Sequence, residues 1–457
     1  MRLGSLAALL LLVAPALRAD AIDEYAREQM TRMRFPGLAL AVVREGAVVT
    51  TRAYGSADLA GKTPVKLDTV FEIGSISKQF TAMAVMMLVE EGKISLEASI
   101  ATYLPDVPEP WRPITVRHLL THSSGIREYL SDPDLAKEVH EAGDHAAVAR
   151  LLTGRLPLDF APGATWAYSN SGYLLLGHIV ERASETPYWD FMKARVFEPA
   201  GMLSTRSSDA GAKIRNRARG YAWTGERFEV RPPVPLKAFA AGAIVSTIQD
   251  MAKWEAALHA GRLLSKGSYE TMWTPLRIER GAPPPFSYGF GWVIDAHHGG
   301  KVVLHSGGTP GFSSAIRRHI KEGVTVIVLA NQGDRIIDPL AVDIAGLAVP
   351  ELARRSSGDP DLRLTMRHLR GIRDLLAGRG DPELFTPAMR LFLATPSGRG
   401  MMEWIASHGD LKALTYAESE PAGLLTRHRY RARLGDAHLW FSVGVTKAGE
   451  IAQIYWW

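Results

Sequence analysis

The chain has 457 residues, of which 46% are hydrophobic and 22% are charged, as in ordinary folded proteins. This length predicts two domains or three, and the absence of cysteine excludes disulfides, zinc–thiolate sites and cysteine nucleophiles. The formal net charge is +5, but the 53 basic residues are interspersed with 48 acidic ones, so the charge pattern gives no support to nucleic-acid binding.

The first 21 residues have the pattern of a secretory signal peptide. A basic start at Arg2 precedes an uncharged and mostly apolar stretch, residues 3–17, and Ala19-Asp20-Ala21 supplies an A-x-A cleavage site. The apolar stretch is short for a membrane span, which needs about 20 residues. We therefore expect residues 1–21 to be cleaved on export, which leaves a periplasmic or secreted protein without a transmembrane segment. An uncleaved N-terminal anchor is the alternative.

Strand-like segments lie at both ends of residues 22–350, and a mostly helical block, residues 93–290, lies between them. The patterns predict helices at 23–34, 75–91 and 336–348, and strands at 38–43, 47–54, 69–73, 301–305, 313–319 and 324–330. We therefore predict an α+β fold in which one antiparallel sheet is built from both ends, is flanked by helices and adjoins a helical lobe. A ligand is expected in the crevice between sheet and lobe.

A polar stretch with helix-breaking residues, 351–362, predicts a linker. Beyond it, residues 363–457 are expected to form a smaller C-terminal α+β module, with helices first and strands after about residue 411. Four arginines alternate along one predicted strand, so they should share one face of the sheet: Arg427, Arg429, Arg431 and Arg433. A solvated sheet face is the favoured interpretation, and binding of an anion or a partner is the alternative.

The segment Ser75-Ile76-Ser77-Lys78 places a hydroxyl and an amine on one helical face, because residues i and i+3 are neighbours there. The positive end of the helix dipole and burial both disfavour a charged lysine, which would help a neutral Lys78 amine act as a general base near pH 7. Taken alone, the motif favours an N-cap serine beside a surface lysine.

Two further segments carry groups suited to acyl transfer. In Tyr168-Ser169-Asn170 the phenol could relay protons and the amide could hold a lysine and a substrate carbonyl, although the flanking turn residues also fit a simple loop. His305 lies at the end of a predicted strand, before a glycine-rich turn that begins with Gly307 and Gly308. A backbone N–H there could form half of an oxyanion hole, and a hairpin turn with an exposed histidine is the alternative.

In this order the three motifs resemble those of the penicillin-recognising serine hydrolases, in particular the branch of class C β-lactamases, D-specific peptidases and related esterases. Similar segments accompany them, which read FEIG at 71–74, HLLTHSSG at 118–125, YSNSGYLLLG at 168–177, GAIVSTIQD at 242–250 and GGTPGF at 307–312. The resemblance covers about residues 30–340. It implies the β-lactamase/transpeptidase-like fold, which is a sheet with flanking helices and a helical lobe.

The resemblance also implies roles for individual residues. Ser75 would be the nucleophile, while Lys78 and Tyr168 would share the general base and acid work. Asn170 would orient the substrate amide. The backbone N–H groups of Ser75 and Gly308 would bind the oxyanion before water hydrolyses the acyl-enzyme.

Two other positions bear on substrate choice. Tyr221, which follows Arg219-Gly220, resembles a family aromatic residue that lines the cleft, and simple packing is the alternative. Many penicillin-binding members carry lysine where this chain has His305. A permanent cationic anchor for a substrate carboxylate is therefore lost or pH-dependent.

We therefore predict an exported serine hydrolase that acts through an acyl-enzyme on a small ester, amide or D-peptide, as an esterase or a D-amino-acid peptidase. No metal or organic cofactor is expected: His118 and His122 have no apparent third metal ligand, and His297-His298 before two glycines predicts a loop. The first alternative is a β-lactamase or D,D-carboxypeptidase that acts on cell-wall peptides. The second is a catalytically idle, ligand-binding member of the same fold.

Overall fold

The computed structural model describes residues 20–208, 213–233, 240–278, 284–333, 337–353, 358–435 and 437–456. Residues 1–19 of the expected signal peptide lie outside the described residues, and its last two residues belong to the first helix. No helix among the described residues is both long enough and apolar enough to cross a membrane.

The structure is α+β, and most strands and helices lie close to their predicted positions. The strands are β1 (Gly37–Arg44), β2 (Ala47–Asp58), β3 (Thr63–Pro64), β4 (Val70–Glu72), β5 (Arg206–Ser207), β6 (Gly220–Trp223), β7 (Phe228–Arg231), β8 (Ile244–Thr247), β9 (Val293–His297), β10 (Gly300–Thr309), β11 (Phe312–His319), β12 (Val324–Ala330), β13 (Leu411–Ala422), β14 (Leu425–Leu434), β15 (Ala437–Val445) and β16 (Ile451–Trp456). The helices are α1 (20–33), α2 (Ser77–Glu90), α3 (Val116–Leu120), α4 (Pro133–Glu141), α5 (His145–Arg155), α6 (Asn170–Ser184), α7 (Tyr188–Phe191), α8 (Ile248–His259), α9 (Lys266–Met272), α10 (Asp338–Ala348), α11 (Leu362–Leu376), α12 (Pro387–Ala394) and α13 (Pro396–Ala406).

Among the described residues, seven strands form a large antiparallel sheet in the order β3-β2-β1-β12-β11-β10-β9. Strand β1 pairs with both β2 and β12, so the two ends of the region before the predicted linker meet in the middle of the sheet. Alternate side chains of β1 enter different cores: Leu40 packs with α1 and α10, and Ala41 packs on the side of α2 and α8. Both faces of this strand are therefore buried, which explains its unbroken apolar sequence.

The helical lobe is built around α2, in which every residue from Ser77 to Leu88 is buried. A helix that is enclosed on all sides needs no polar face. The block predicted as mostly helical also contains β5 to β8, which form part of a sheet in the order β4-β8-β5 and a β6-β7 hairpin. These strands have two to four residues each, too few for a clear alternating pattern.

The C-terminal module consists of α11 to α13 and a sheet in the order β13-β14-β15-β16. The side chains of Tyr430, Ala432 and Leu434 on β14 enter a hydrophobic cluster with α11 to α13. The same cluster contains Phe160, Trp166 and Tyr288 from the preceding region. The module and that region thus share one hydrophobic cluster.

The prediction of a solvated arginine face on β14 is wrong for two of the four arginines. Arg431 and Arg433 are exposed, but Arg427 and Arg429 are only 3% and 4% exposed. The reason is that this half of the face packs against β9, where the carboxylate of Asp295 contacts both buried guanidinium groups. The alternation correctly indicates a shared face, but it carries no information about what covers that face.

Candidate active site

Ser75 lies in a tight turn, Gly74–Ile76, that runs directly into α2. Two glycines allow β10 to approach this turn. A Cβ atom on Gly74, whose φ is +50°, would lie 2.7 Å from the backbone nitrogen of Gly308, and one on Gly307 would lie 2.0 Å from the carbonyl oxygen of Ile73. Both distances are shorter than any normal contact of a Cβ atom. Only glycine at these two positions therefore permits β10 to lie this close to the turn of Ser75.

The buried amine of Lys78 lies near three oxygen atoms. Its Nζ is 3.1 Å from Ser75 Oγ, 2.7 Å from Asn170 Oδ1 and 2.8 Å from the carbonyl oxygen of Ala241. Burial lowers the pKa of Lys78 to about 7, against the opposing charge of Glu128. In the neutral amine two N–H bonds are taken by the amide and carbonyl oxygens, which only accept, so the lone pair faces the serine hydroxyl.

Tyr168 approaches the same hydroxyl from the loop before α6. Its phenol forms a hydrogen bond with Ser75, and burial raises the pKa of the phenol above its usual value, so the group keeps its proton near pH 7. The Nζ atom of Lys78 lies 4.8 Å from the centre of the tyrosine ring. The structure therefore brings Ser75, Lys78, Tyr168 and Asn170 together, although up to 95 residues separate them in the sequence.

The orientation of the Asn170 amide is determined by Glu128, a residue for which sequence reasoning gave no role. The backbone N–H of Asn170 donates to the Glu128 carboxylate at 2.5 Å, and its Nδ2 donates at 3.3 Å. This leaves Oδ1 for Lys78. Burial raises the pKa of Glu128, and the N–H groups of Asn170 and Leu130 oppose that effect. The only signal in the sequence is an acidic residue three positions after the HLLTHSSG segment.

The predicted strand end at His305, followed by a turn, is wrong: β10 stays paired with β11 as far as Thr309, and His305 lies buried within the strand, just after its pairing with β9 ends. Both of its ring nitrogens are occupied. Nδ1 lies 2.6 Å from the carbonyl oxygen of Ser306, and Nε2 lies 2.8 Å from the hydroxyl of Tyr288. Because the carbonyl can only accept, Nδ1 carries the proton and Tyr288 donates to Nε2. Burial and the nearby charge of Lys78 lower the pKa of His305 to about 3. The imidazole is therefore neutral near pH 7.

Strand β10 offers an accessible edge beside Ser75. It pairs with β11 as far as Thr309, but its pairing with β9 ends at Leu304. Gly308 is exposed, and a Cβ atom built on it would meet nothing within 4 Å. The backbone of Gly308 is thus open on one side and close to the turn that holds Ser75 on the other, an arrangement that suits a backbone donor to a substrate carbonyl.

Comparison with known proteins gives the family. The sequence model of the family described as Beta-lactamase matches residues 22–346. The chain belongs to the beta-lactamase family. This confirms the resemblance read from the three motifs, and the observed sheet, flanking helices and helical lobe confirm the predicted fold class.

Relatives of this beta-lactamase-family chain include penicillin-binding proteins and peptidases. It is 33% identical over 314 residues to penicillin-binding protein 4* of Bacillus subtilis (strain 168). This match covers 65% of this chain and 68% of the relative. It is 30% identical over 317 residues to a D-aminopeptidase of Brucella canis. This match covers 69% of this chain and 60% of the relative. With such relatives, the protein is a serine hydrolase.

A solved structure extends the likeness to the C-terminal module. The octameric penicillin-binding protein homologue from Pyrococcus abyssi superposes with a TM-score of 0.64 at 22% sequence identity, and the match covers 95% of this chain and 94% of the other. At this identity the likeness concerns the fold alone. The matched fold includes the C-terminal module as well as the preceding region.

Tyr221 makes its contacts elsewhere, away from the group formed by Ser75, Lys78, Tyr168 and Asn170. The Tyr221 hydroxyl accepts from the backbone N–H of Leu59 at 2.9 Å and donates to Asp58 at 3.3 Å, at the end of β2. Its ring packs edge-on against Phe228 of the same hairpin. In this beta-lactamase-family protein the hydrogen bonds of Tyr221 connect β6 to the end of β2. That Tyr221 also contacts the substrate stays a prediction.

The C-terminal module packs against the loops that hold two residues of the site. Trp166, two positions before Tyr168, stacks on Phe286 with ring centres 4.7 Å apart and also contacts Phe392 of α12. Phe286 lies two positions before Tyr288, the partner of the buried histidine. The positions of both tyrosines in this beta-lactamase-family protein therefore depend on packing with the module.

Proposed function

We propose that this protein hydrolyses the amide or ester bond of a small substrate through an acyl-enzyme on Ser75. The surroundings of the Lys78 amine carry the proposal. Its pKa is about 7, its two N–H bonds go to Asn170 and Ala241, and its lone pair faces the serine hydroxyl. A base that is half neutral near pH 7 is suited to remove the hydroxyl proton as the oxygen attacks a carbonyl carbon.

Acylation exchanges one bond and moves one proton. Ser75 Oγ bonds to the carbonyl carbon while its proton passes to Lys78 Nζ, and backbone N–H groups of Ser75 and Gly308 stabilise the oxyanion. When the carbonyl re-forms, the bond to the leaving nitrogen or oxygen breaks. The Tyr168 hydroxyl gives that atom a proton and regains one from Lys78. Water then attacks the acyl carbon, the same groups carry the protons, and the acid product leaves.

Two observations support an uncharged ester or a D-amino-acid amide as the substrate. The neutral His305 cannot provide a cation for a substrate carboxylate, since its pKa is about 3 and both nitrogens are already bonded. A relative at 30% identity is described as a D-aminopeptidase. Hydrolysis of β-lactams or cell-wall peptides is the second candidate, because another relative at 33% identity is a penicillin-binding protein.

We also propose that the protein is exported to the periplasm or the medium. The basic start, the apolar stretch and the A-x-A site within residues 1–21 support this. Expression of the full chain with N-terminal sequencing of the mature protein tests it. Cleavage after Ala21 is expected, and an intact N-terminus on cytoplasmic protein contradicts the proposal.

The nucleophile is tested by treating the purified chain with a fluorophosphonate probe and locating the adduct by mass spectrometry. We expect one adduct, on Ser75, that disappears in Ser75→Ala together with hydrolysis of a p-nitrophenyl ester. Ser407→Ala, an exposed serine of the C-terminal module, is the matched control and should label like the original protein. Absence of both labelling and hydrolysis would favour a catalytically idle, ligand-binding member of the family.

A further inference from the structure

The turn between β9 and β10 places two adjacent histidines against β13 of the C-terminal module. His297 ends β9, and His298 follows in the turn with a left-handed φ of +50°. Nε2 of His297 lies 4.0 Å from Oε1 of Glu418, and Nδ1 of His298 lies 3.7 Å from Oε2. One ligand-type atom from each of these three residues lies within 4.8 Å of the other two.

The protonation of His298 leaves a lone pair directed at a carboxylate. Its Nε2 lies 3.2 Å from the carbonyl oxygen of Ala353, which can only accept, so Nε2 carries the proton. Nδ1 is then the nitrogen that offers a lone pair, and it lies 3.7 Å from Oε2 of Glu418. A metal ion placed between these two atoms can bind both, and so can a shared proton.

Buried imidazole nitrogens without a hydrogen-bond partner lie within and beside this group of three residues. His297 is 3% exposed, and its Nδ1 has no hydrogen-bond partner among the described residues. His319 is 1% exposed, lies with its ring 5.4 Å from that of His297, and has neither nitrogen bonded to any described residue. Buried polar atoms without a protein partner mark places where water or an ion binds. In His297 the nitrogen that faces Glu418 is the other one, Nε2.

The cationic side chains near the three residues are already paired with carboxylates. Guanidinium groups of Arg317, Arg427 and Arg429 lie close by, and they are paired with carboxylates of Asp295, Glu418 and Glu420. Arg429 donates to Oε1 of Glu418 at 2.7 Å and leaves Oε2 on the side of His298. A ligating carboxylate with such an outer hydrogen bond, and a ligating histidine whose other nitrogen donates to a carbonyl, are the usual surroundings of a bound metal.

We propose that His297, His298 and Glu418 bind one divalent transition-metal ion of the zinc type, which fastens the C-terminal module to the β9–β10 turn. Two imidazole nitrogens and one carboxylate oxygen suit Zn²⁺, whereas Mg²⁺ and Ca²⁺ prefer all-oxygen sites. Metal–ligand bonds of about 2.1 Å put neighbouring ligand atoms about 3.4 Å apart. The 3.7 Å between His298 Nδ1 and Glu418 Oε2 therefore requires only a small contraction, and all three ligand atoms already lie within 4.8 Å of one another. Water would complete a four-coordinate site.

The metal site is separate from the hydrolytic site. Gly308 lies eight positions after Gly300 on β10, which corresponds to about 26 Å along an extended strand. Bound metal is therefore expected to change the stability of the docked module and to leave the chemistry at Ser75 unchanged.

The test measures zinc bound to the full chain, prepared without a polyhistidine tag, stripped with a chelator and dialysed against Zn²⁺. Elemental analysis should give one zinc per chain, and His298→Ala and Glu418→Gln should each weaken binding by at least about tenfold. The matched control is His259→Ala, which removes one histidine from a surface pair with Glu45 at 3.6 Å. It should bind zinc as the original protein does.

Thermal unfolding gives a second readout that does not depend on activity. Zn²⁺ should raise the Tm of the original chain and of His259→Ala, because a ligand that binds only the folded state stabilises it. It should not raise the Tm of His298→Ala. If Glu418→Gln fails to fold, His298→Ala carries the test alone. An original chain that binds no zinc, or a His298→Ala chain that binds it equally well, overturns the proposal and indicates a proton bridge.

Discussion

The backbone N–H of Asn170 donates to the carboxylate of Glu128 at 2.5 Å, a contact between residues that lie 42 positions apart. Together with the bond from Nδ2 it turns the amide so that Oδ1 accepts from Lys78 at 2.7 Å. The Glu128 charge also raises the pKa of Lys78 against the effect of burial. One carboxylate thus affects both the geometry and the protonation of the proposed base.

Replacement of Glu128 by glutamine should therefore alter the pH profile as well as the rate. In Glu128→Gln the loss of negative charge lowers the pKa of Lys78, so the acidic limb of kcat/KM should move to lower pH. The loss of an acceptor for Asn170 should reduce kcat by about tenfold, or roughly 1.4 kcal/mol. Glu138→Gln, on the surface of α4, is the control for a lost carboxylate. A limb that does not move would show that Glu128 has no electrostatic effect on Lys78.

Removal of the Tyr168 hydroxyl should affect the chemical step. We expect Tyr168→Phe to lower kcat by about 10²- to 10⁴-fold with little change in KM, as is usual for loss of a general acid or base. Steady-state kinetics with an activated ester and an anilide measure this, and the anilide should suffer more because its leaving group needs the proton. Tyr430→Phe, which removes a buried hydroxyl bonded to His368, is the control. Equal kcat values for Tyr168→Phe and the original chain would contradict the assigned role.

Substrate preference follows from the neutral His305. Because its pKa is about 3, substrates without a carboxylate should be turned over faster than substrates that need a cationic anchor. A panel of a short-chain p-nitrophenyl ester, D-alanine p-nitroanilide and nitrocefin compares these classes. We expect higher kcat/KM for the ester or the D-anilide. Nitrocefin hydrolysis faster than either would support the β-lactamase alternative.

The buried arginines of β14 make the stability of the protein depend on Asp295. Its carboxylate contacts Arg427 and Arg429, whose side chains are 4% and 5% exposed. In Asp295→Asn the loss of this charge leaves a buried guanidinium without full compensation, which should cost about 3 kcal/mol. Urea unfolding measures the change. Asp410→Asn, at a side chain that is 87% exposed beside Lys412, should change stability by less than about 0.5 kcal/mol.

The parts of the site that sequence reasoning reached are the local ones. The spacing of Ser75 and Lys78 predicts their contact because one helical turn brings them together. Contacts over long distances in the chain, such as the one between Lys78 and Asn170, have no local pattern and came only from the family resemblance. Glu128 follows the HLLTHSSG segment as a single acidic residue, and neither its spacing nor the resemblance gave it a role. Tyr288 follows a proline-rich segment without periodicity, so the sequence did not predict it as the partner of His305.

The fold shows the same division between local and long-range information. Apolar segments such as β1 and β12 are predicted because burial on both faces removes their polar residues. The arginines of β14 alternate as predicted, but only three-dimensional packing reveals that Asp295 covers two of them. Local periodicity identifies faces, and it does not identify what those faces contact.

The role of Lys78 as the base for Ser75 is tested most directly by the rate at which Ser75 reacts with a fluorophosphonate at different pH values. If neutral Lys78, with its pKa of about 7, is the base, the rate should rise about tenfold per pH unit below that pKa and level off above it. Lys78→Ala should react slowly and without that dependence. A Lys78→Ala protein that labels at the original rate, with the original pH profile, would contradict the central claim.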